Sequence, residues 1–214
     1  MGKRLGFLSL LLALGATIGT GSAPVTAQPA PPPAHTEQAV LAGGCFWGME
    51  AVFSSLKGVT NVVSGYTGGS KATASYEMVS TGTTGHAESV EITYDPARIS
   101  YAQLLQVYFR VAHDPTELNR QGGDHGTQYR SSIFYADDTQ KRIAESTIRD
   151  LTAAKAFPEP IVTKVVPFTA FYPAEAYHQH FVARNPADPY VVFVDQPKLK
   201  ALRERYPTMV KARG

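Results

Sequence analysis

An apolar run, Ala39-Val40-Leu41-Ala42, breaks at Gly43-Gly44, and directly afterwards apolar residues recur at Phe46, Met49, Val52, Phe53 and Leu56. The first pattern suits a buried strand and the second has helical spacing, so a strand passes into a helix through a glycine turn. That juncture constrains the chain to packed layers of strand and helix. It also carries the one cysteine of the chain, Cys45, in the first turn of the expected helix. Lys57-Gly58 closes that helix.

The remaining pattern agrees. Residues 59–66 read as a strand ended by Gly68-Gly69. From 88 to 95 the sequence alternates, with Glu88, Val90, Ile92 and Tyr94 on one face and Ser89, Glu91 and Thr93 on the other. Ser100 caps a helix running to about 112 with Leu104, Leu105, Tyr108 and Val111 on its apolar side. Residues 120–127 are a glycine-rich polar loop, and 131–135 and 161–166 are strands. Helices are expected over 137–156, 174–183 and 196–206. The expected fold is α+β: a two-layer sandwich in which helices cover a mixed sheet.

The N-terminus reads as an export signal over 1–27. Lys3 and Arg4 precede an apolar run over 5–20, and Val25-Thr26-Ala27 is a small-x-small cleavage site. The alternative is a retained anchor, but the apolar run is shorter than the ~20 residues that span a bilayer. A Pro/Ala-rich linker follows over 28–35, then the body over 36–214. An exported chain, periplasmic or secreted and without stable membrane insertion after cleavage, is expected. Its formal charge of +2 comes from Lys3 and Arg4; the mature chain is neutral. With no basic patch interleaved with aromatics, nucleic acid is not an expected partner.

A lone thiol in an oxidising compartment is structural filler, a partner for another molecule's thiol, or a reactive centre. At a helix N-terminus the dipole and free N–H groups favour the thiolate, which is the nucleophile. Gly43 and Gly44 open the approach, and Phe46 and Trp47 place two rings beside the sulfur. Glu88 shares its strand face with apolar residues, and desolvation there raises a carboxyl pKa and suits it to donate a proton. His86 and His125 leave open a Cys–His pair, as in cysteine hydrolases. His178 and His180 fall on different faces of a helix, and no close-spaced ligand pair accompanies the thiol, so a metal site is not expected.

The run Gly43-Gly44-Cys45-Phe46-Trp47-Gly48-Met49-Glu50 resembles the active-site motif of the A-type peptide methionine sulfoxide reductases. Gly65-Tyr66-Thr67-Gly68-Gly69, Tyr76, Thr84-Gly85-His86-Ala87-Glu88, the run from Gly123 to Arg130, His178-Gln179 and Asn185-Pro186 continue the likeness in order. It covers roughly residues 37–206. The resemblance implies a peptide-methionine (S)-S-oxide reductase that repairs oxidised proteins, with no bound cofactor. Cys45 would attack the sulfoxide sulfur, Glu88 would protonate the departing oxygen, and Tyr76 and Tyr129 would hydrogen-bond it. Asp124 would order the site, and Phe46 and Trp47 would form the pocket for the S-methyl group.

Many members of that family resolve the Cys sulfenic acid with a second cysteine. This chain has none, so an external thiol, from a thioredoxin-like protein or a small molecule, must clear it. The expected partners are oxidised proteins or free methionine sulfoxide and that reductant, with the chain a monomer. The rival readings are an exported cysteine hydrolase using Cys45 with His86 or His125, and a secreted binding domain in which the Cys45 run is structural.

Overall fold

The computed structural model describes residues 35–212, with Met1 and Gly2. The expected export signal and its cleavage site, with all but the last residue of the linker, lie outside the described residues. The chain divides into a unit over Met1–Pro33 and one over Ala34–Gly214, and every element named below belongs to the second. Among the described residues no helix is long and apolar enough to cross a membrane.

The expected α+β architecture is observed, built on a six-stranded mixed sheet. Its strands are β1 (Glu37–Ala42), β2 (Val59–Thr67), β3 (Ala87–Tyr94), β6 (Ser132–Tyr135), β7 (Lys164–Pro167) and β8 (Phe171–Pro173), in the order β7-β6-β1-β3-β2-β8. Only β6 and β7 pair in parallel; the other neighbours are antiparallel. Two-residue strands β4 (Arg120–Gln121) and β5 (Asp124–His125) form a separate ribbon inside the expected polar loop.

Strand alternation divides the apolar side chains between two cores. Ala39 and Leu41 enter the main core, while Val40 and Ala42 face a smaller cluster with Ala87 and Phe134. Glu88, Val90, Ile92 and Tyr94 are all buried on one face of β3, as their alternation requires. The main core is closed by helix α1 (Phe46–Ser54), which contributes Phe46, Met49, Val52 and Phe53, and by α3 (Tyr101–Val107) with Leu104 and Leu105. Ser100 begins α3 with a reciprocal capping box with Gln103. Asp137 caps α4 (Asp138–Ala153) by accepting the N–H groups of Thr139 and Gln140, each at 2.8 Å. The last long helix is α6 (Gln196–Arg205), entered through a π-helical turn over Val191–Asp195.

Three expectations are corrected. The strand expected over 161–166 is shifted to Lys164–Pro167, because Val162 N–H is drawn aside to donate to Pro115 O at 2.8 Å. The expected helix over 137–156 ends at Ala153, and Lys155 sits at φ 48°, outside helical space.

The third correction matters most: residues 174–183 are not a helix. They run as turns into the short α5 (Phe181–Arg184). His180 adopts φ 54°. The Gln179 side chain replaces the helical ladder, donating to Ser64 O and Ala174 O at 2.9 Å each and accepting Ser64 N–H at 3.0 Å. The pattern also passes over the four-residue helix α2 (Tyr76–Val79) and the three-residue β8, both too short to show a period.

Candidate active site

Cys45 is the N-cap residue of α1 and is 8% exposed. The turn that delivers it depends on two glycines. Gly44 lies at φ +83°, which favours glycine, and a Cβ at Gly43 would come 2.8 Å from the His113 ring. His113 is buried and spends both ring nitrogens locally, on Tyr108 O and Ser131 Oγ.

Glu88 reaches the same turn from the sheet. The β1–β3 pairing runs from Glu37↔Tyr94 to Leu41↔Val90, so Glu88 lies two positions past the last pair, level with the glycine turn. Its Oε2 accepts the Phe46 N–H at 3.0 Å, capping α1 in place of the Cys45 side chain. Burial pushes the Glu88 carboxyl up to about 8; the Phe46 N–H opposes the shift and the Asp124 charge adds to it. At pH 7 such a group is roughly nine-tenths protonated, as a proton donor must be.

The thiol departs from expectation. Burial holds Cys45 well above its ordinary pKa, Glu88's charge adds to this, and the Trp47 backbone N–H only partly opposes it. Burial thus favours the thiol over the thiolate, against the pull of the helix N-terminus. The main cause is burial, which the Trp47 N–H at the start of α1 does not offset.

Tyr76 opens α2 and Tyr129 closes a 3-10 turn over Thr127–Tyr129. Burial raises both phenols and the Glu88 charge adds to each, so both are hydrogen-bond donors near that carboxyl. An ionised Cys45 would raise both further, so its sulfur lies within reach of the two phenols. The structure thus brings Cys45, Glu88, Tyr76 and Tyr129 into one site. Asp124, on β5, enters it by accepting the hydroxyl of Tyr190.

Phe46 and Trp47 form the aromatic side. Phe46 is 1% exposed, with its ring centre 5.0 Å from His178 and 5.8 Å from Tyr66. Trp47 stacks on Phe181 at 3.7 Å and 8°, meets Tyr190 edge-on at 5.8 Å, and donates its indole N–H to His178 Nδ1 at 3.0 Å.

His86 and His125 do not pair with the thiol. His86 Nδ1 accepts Gly69 N–H at 3.2 Å and Nε2 lies 2.9 Å from Ser70 O, so both nitrogens are spent on the backbone. His125 is exposed on the small ribbon. Among the described residues no group of three or more His, Cys, Asp or Glu side chains is placed to hold a metal ion. A cavity of about 1090 Å³ between α1 and α6 touches Trp47 but neither Cys45 nor Glu88, so it is separate from this site.

Comparison with known proteins decides the family. The family model "Peptide methionine sulfoxide reductase" matches residues 37–209. The chain belongs to the A-type peptide methionine sulfoxide reductases. It is 59% identical to "Peptide methionine sulfoxide reductase MsrA 2" of Mesorhizobium japonicum over 81% of this chain and 89% of that relative. It is 53% identical to MsrA of Chromobacterium violaceum, covering 82% and 99% of the two chains. Among solved structures, reduced Mxr1 from Saccharomyces cerevisiae aligns with a TM-score of 0.66 at 34% identity, covering 73% of this chain and 89% of that one. Methionine sulfoxide reductase A of Corynebacterium diphtheriae aligns at 0.62 and 34%, covering 75% and 77%.

Around this site lie residues to which sequence reasoning gave no role. His178, Tyr190 and Glu175 surround the aromatic side; Glu175 and His178 lie on the turns after β8, and Tyr190 leads into the π-helical turn over Val191–Asp195. Asp195 was missed too. It is fully buried, neither carboxylate oxygen has a hydrogen-bond partner, and Lys198 Nζ lies 4.0 Å away. Burial raises it to about 6 against the pull of Lys198. A Cβ on Gly48 would collide with this carboxylate. The one usable signal was the aromatic and histidine density of 172–190, where a regular helix pattern was read instead.

Proposed function

We propose that the chain reduces the S-sulfoxide of methionine, free or peptide-bound, to methionine, and so repairs oxidised proteins. The observation that carries this reading is the Glu88 carboxyl, buried, held near pKa 8 and seated on the N–H of the residue after Cys45. A sulfoxide oxygen leaves only once protonated, and Glu88 is the acid in place.

In the proposed step, Cys45 attacks the sulfoxide sulfur while Glu88 protonates the oxygen and Tyr76 and Tyr129 hydrogen-bond it. The thiol proton passes to the Glu88 carboxylate. The sulfoxide S–O bond and the transient bond between the two sulfurs both break, methionine leaves, and the oxygen ends on Cys45 as a sulfenic acid. The substrate sulfur is reduced by two electrons and Cys45 is oxidised by two. Phe46 and Trp47 receive the S-methyl group, and Asp124 holds Tyr190 against the indole.

Regeneration needs two external thiol equivalents: the first displaces water to give a mixed disulfide, and the second releases Cys45. A thioredoxin-like protein or a small thiol fills that role, and the chain itself needs no bound cofactor. The signal over 1–27 supports export to the periplasm or medium with cleavage after Ala27, and the monomeric body over 36–214 acts there.

The test is to offer each sulfoxide epimer with dithiothreitol. Reduction of the S epimer alone supports the reading, and reduction of the R epimer alone contradicts it. Mass spectrometry of the mature N-terminus tests export, with Gln28 expected and an intact Met1 contradicting cleavage.

A further inference from the structure

We infer that Glu175 is a positioning residue for the reaction, acting by holding Tyr76 in place over the site. The inference rests on the reading of Tyr76 as a donor to the sulfoxide oxygen.

Helix α2 is four residues long, and its N-cap residue, Ser75, makes no side-chain cap bond. A single turn does not hold itself in water. What holds it is distant in sequence: Tyr76 N–H donates to Glu175 Oε1 at 2.9 Å, across 99 residues. The other oxygen of the same carboxylate fixes Glu175 to the rigid part of the molecule, because Oε2 accepts the Tyr66 hydroxyl at 2.8 Å. Tyr66 is fully buried on β2, directly opposite Glu88 in the sheet register, and its ring lies 5.8 Å from Phe46. One carboxylate therefore references the backbone of Tyr76 to the strand pair that presents the proton donor.

The side chain suits the task. Burial pushes its pKa up, but the Tyr76 N–H and the Tyr66 hydroxyl outweigh this and hold it below the usual carboxylate range. Glu175 thus accepts both bonds as an anion, and charge-assisted bonds are the stronger kind. It is also next to β8, whose pairing with β2 at Gly65↔Pro173 fixes the start of the turn.

A double-mutant cycle on kcat/KM for the S-sulfoxide tests this, using Glu175→Ala, Tyr76→Phe and the double variant. Tyr76→Phe keeps the amide but removes the hydroxyl that Glu175 is proposed to aim. We expect Glu175→Ala to lower kcat/KM about tenfold in the parent, as for a donor misplaced but not removed. In the Tyr76→Phe background the same change should cost less than about twofold. Glu175→Gln, which keeps one acceptor, should fall between, and it replaces Glu175→Ala in the cycle if that variant does not fold. Losses that multiply in the double variant would overturn the role of Glu175 while leaving that of Tyr76 intact. An unchanged Tyr76→Phe would overturn the donor role of Tyr76, and the Glu175 inference with it.

Discussion

The backbone N–H of Phe46 donates to Glu88 Oε2 at 3.0 Å, so the proposed acid caps the helix whose N-cap residue is the proposed nucleophile. That bond ties the Glu88 carboxyl to the first turn of the helix that Cys45 begins. Cys45 is left as a buried thiol beside a protonated acid.

Glu88→Gln keeps an oxygen that can accept the Phe46 N–H but carries no acid proton. It should fold normally and lose about 10²–10⁴-fold in kcat, the usual worth of general acid catalysis. Single-turnover rates measured with the S-sulfoxide check this; a variant as fast as the parent contradicts the acid role.

The same carboxyl links stability to pH. Its folded pKa, near 8, lies above the ordinary 4.5, so the folded state holds the proton more tightly than the unfolded state. That stability is fully present below pH 4.5 and is lost as pH rises through 8. Between those values the group contributes a slope of about −1.4 kcal/mol per pH unit. Unfolding titrations in urea from pH 5 to pH 9 should show Glu88→Gln losing less stability than the parent. Parallel curves would refute the buried, protonated state.

Cys45 and Glu88 were legible because each lies in a local pattern: a strand–glycine–helix juncture for one, a clean two-residue alternation for the other. What aligns them was not legible. Trp47 is held by His178, Phe181 and Tyr190, and Tyr76 by Glu175. Glu175 and His178 lie on turns whose backbone is satisfied by Gln179 and broken by His180 at φ 54°, and Phe181 and Tyr190 lie on helical pieces too short to show a period. The raised pKa of the thiol was hidden for a similar reason: it depends on how deeply the fold buries Cys45 and on the Glu88 charge beside it, both tertiary facts.

His178→Ala removes the acceptor of the Trp47 indole N–H, leaving a half-buried donor without its partner. We expect KM for the S-sulfoxide to rise several-fold, because the indole that receives the methyl group loses its orientation. His178→Asn, which can still accept, should recover part of the loss. Steady-state kinetics on both variants provide the check, and an unchanged KM in His178→Ala would contradict the role of the indole.

Phe53 is fully buried between α1 and the sheet. Phe53→Ala should cost about 3–5 kcal/mol through lost burial and the cavity left behind. Gly48→Ala should also destabilise, since its Cβ meets the buried Asp195 carboxylate, which has no hydrogen bond to spare. Thermal melts report both, and a Gly48→Ala variant as stable as the parent would show that Asp195 moves freely.

In the proposed reaction Cys45 takes the oxygen and cannot release it alone. The direct measurement mixes the reduced protein with excess S-sulfoxide and no thiol, then counts methionine released and weighs the Cys45 peptide. One methionine per chain and one added oxygen on Cys45 are expected, with turnover restored by dithiothreitol. Repeated turnover without thiol, or methionine release with Cys45 unmodified, would contradict it.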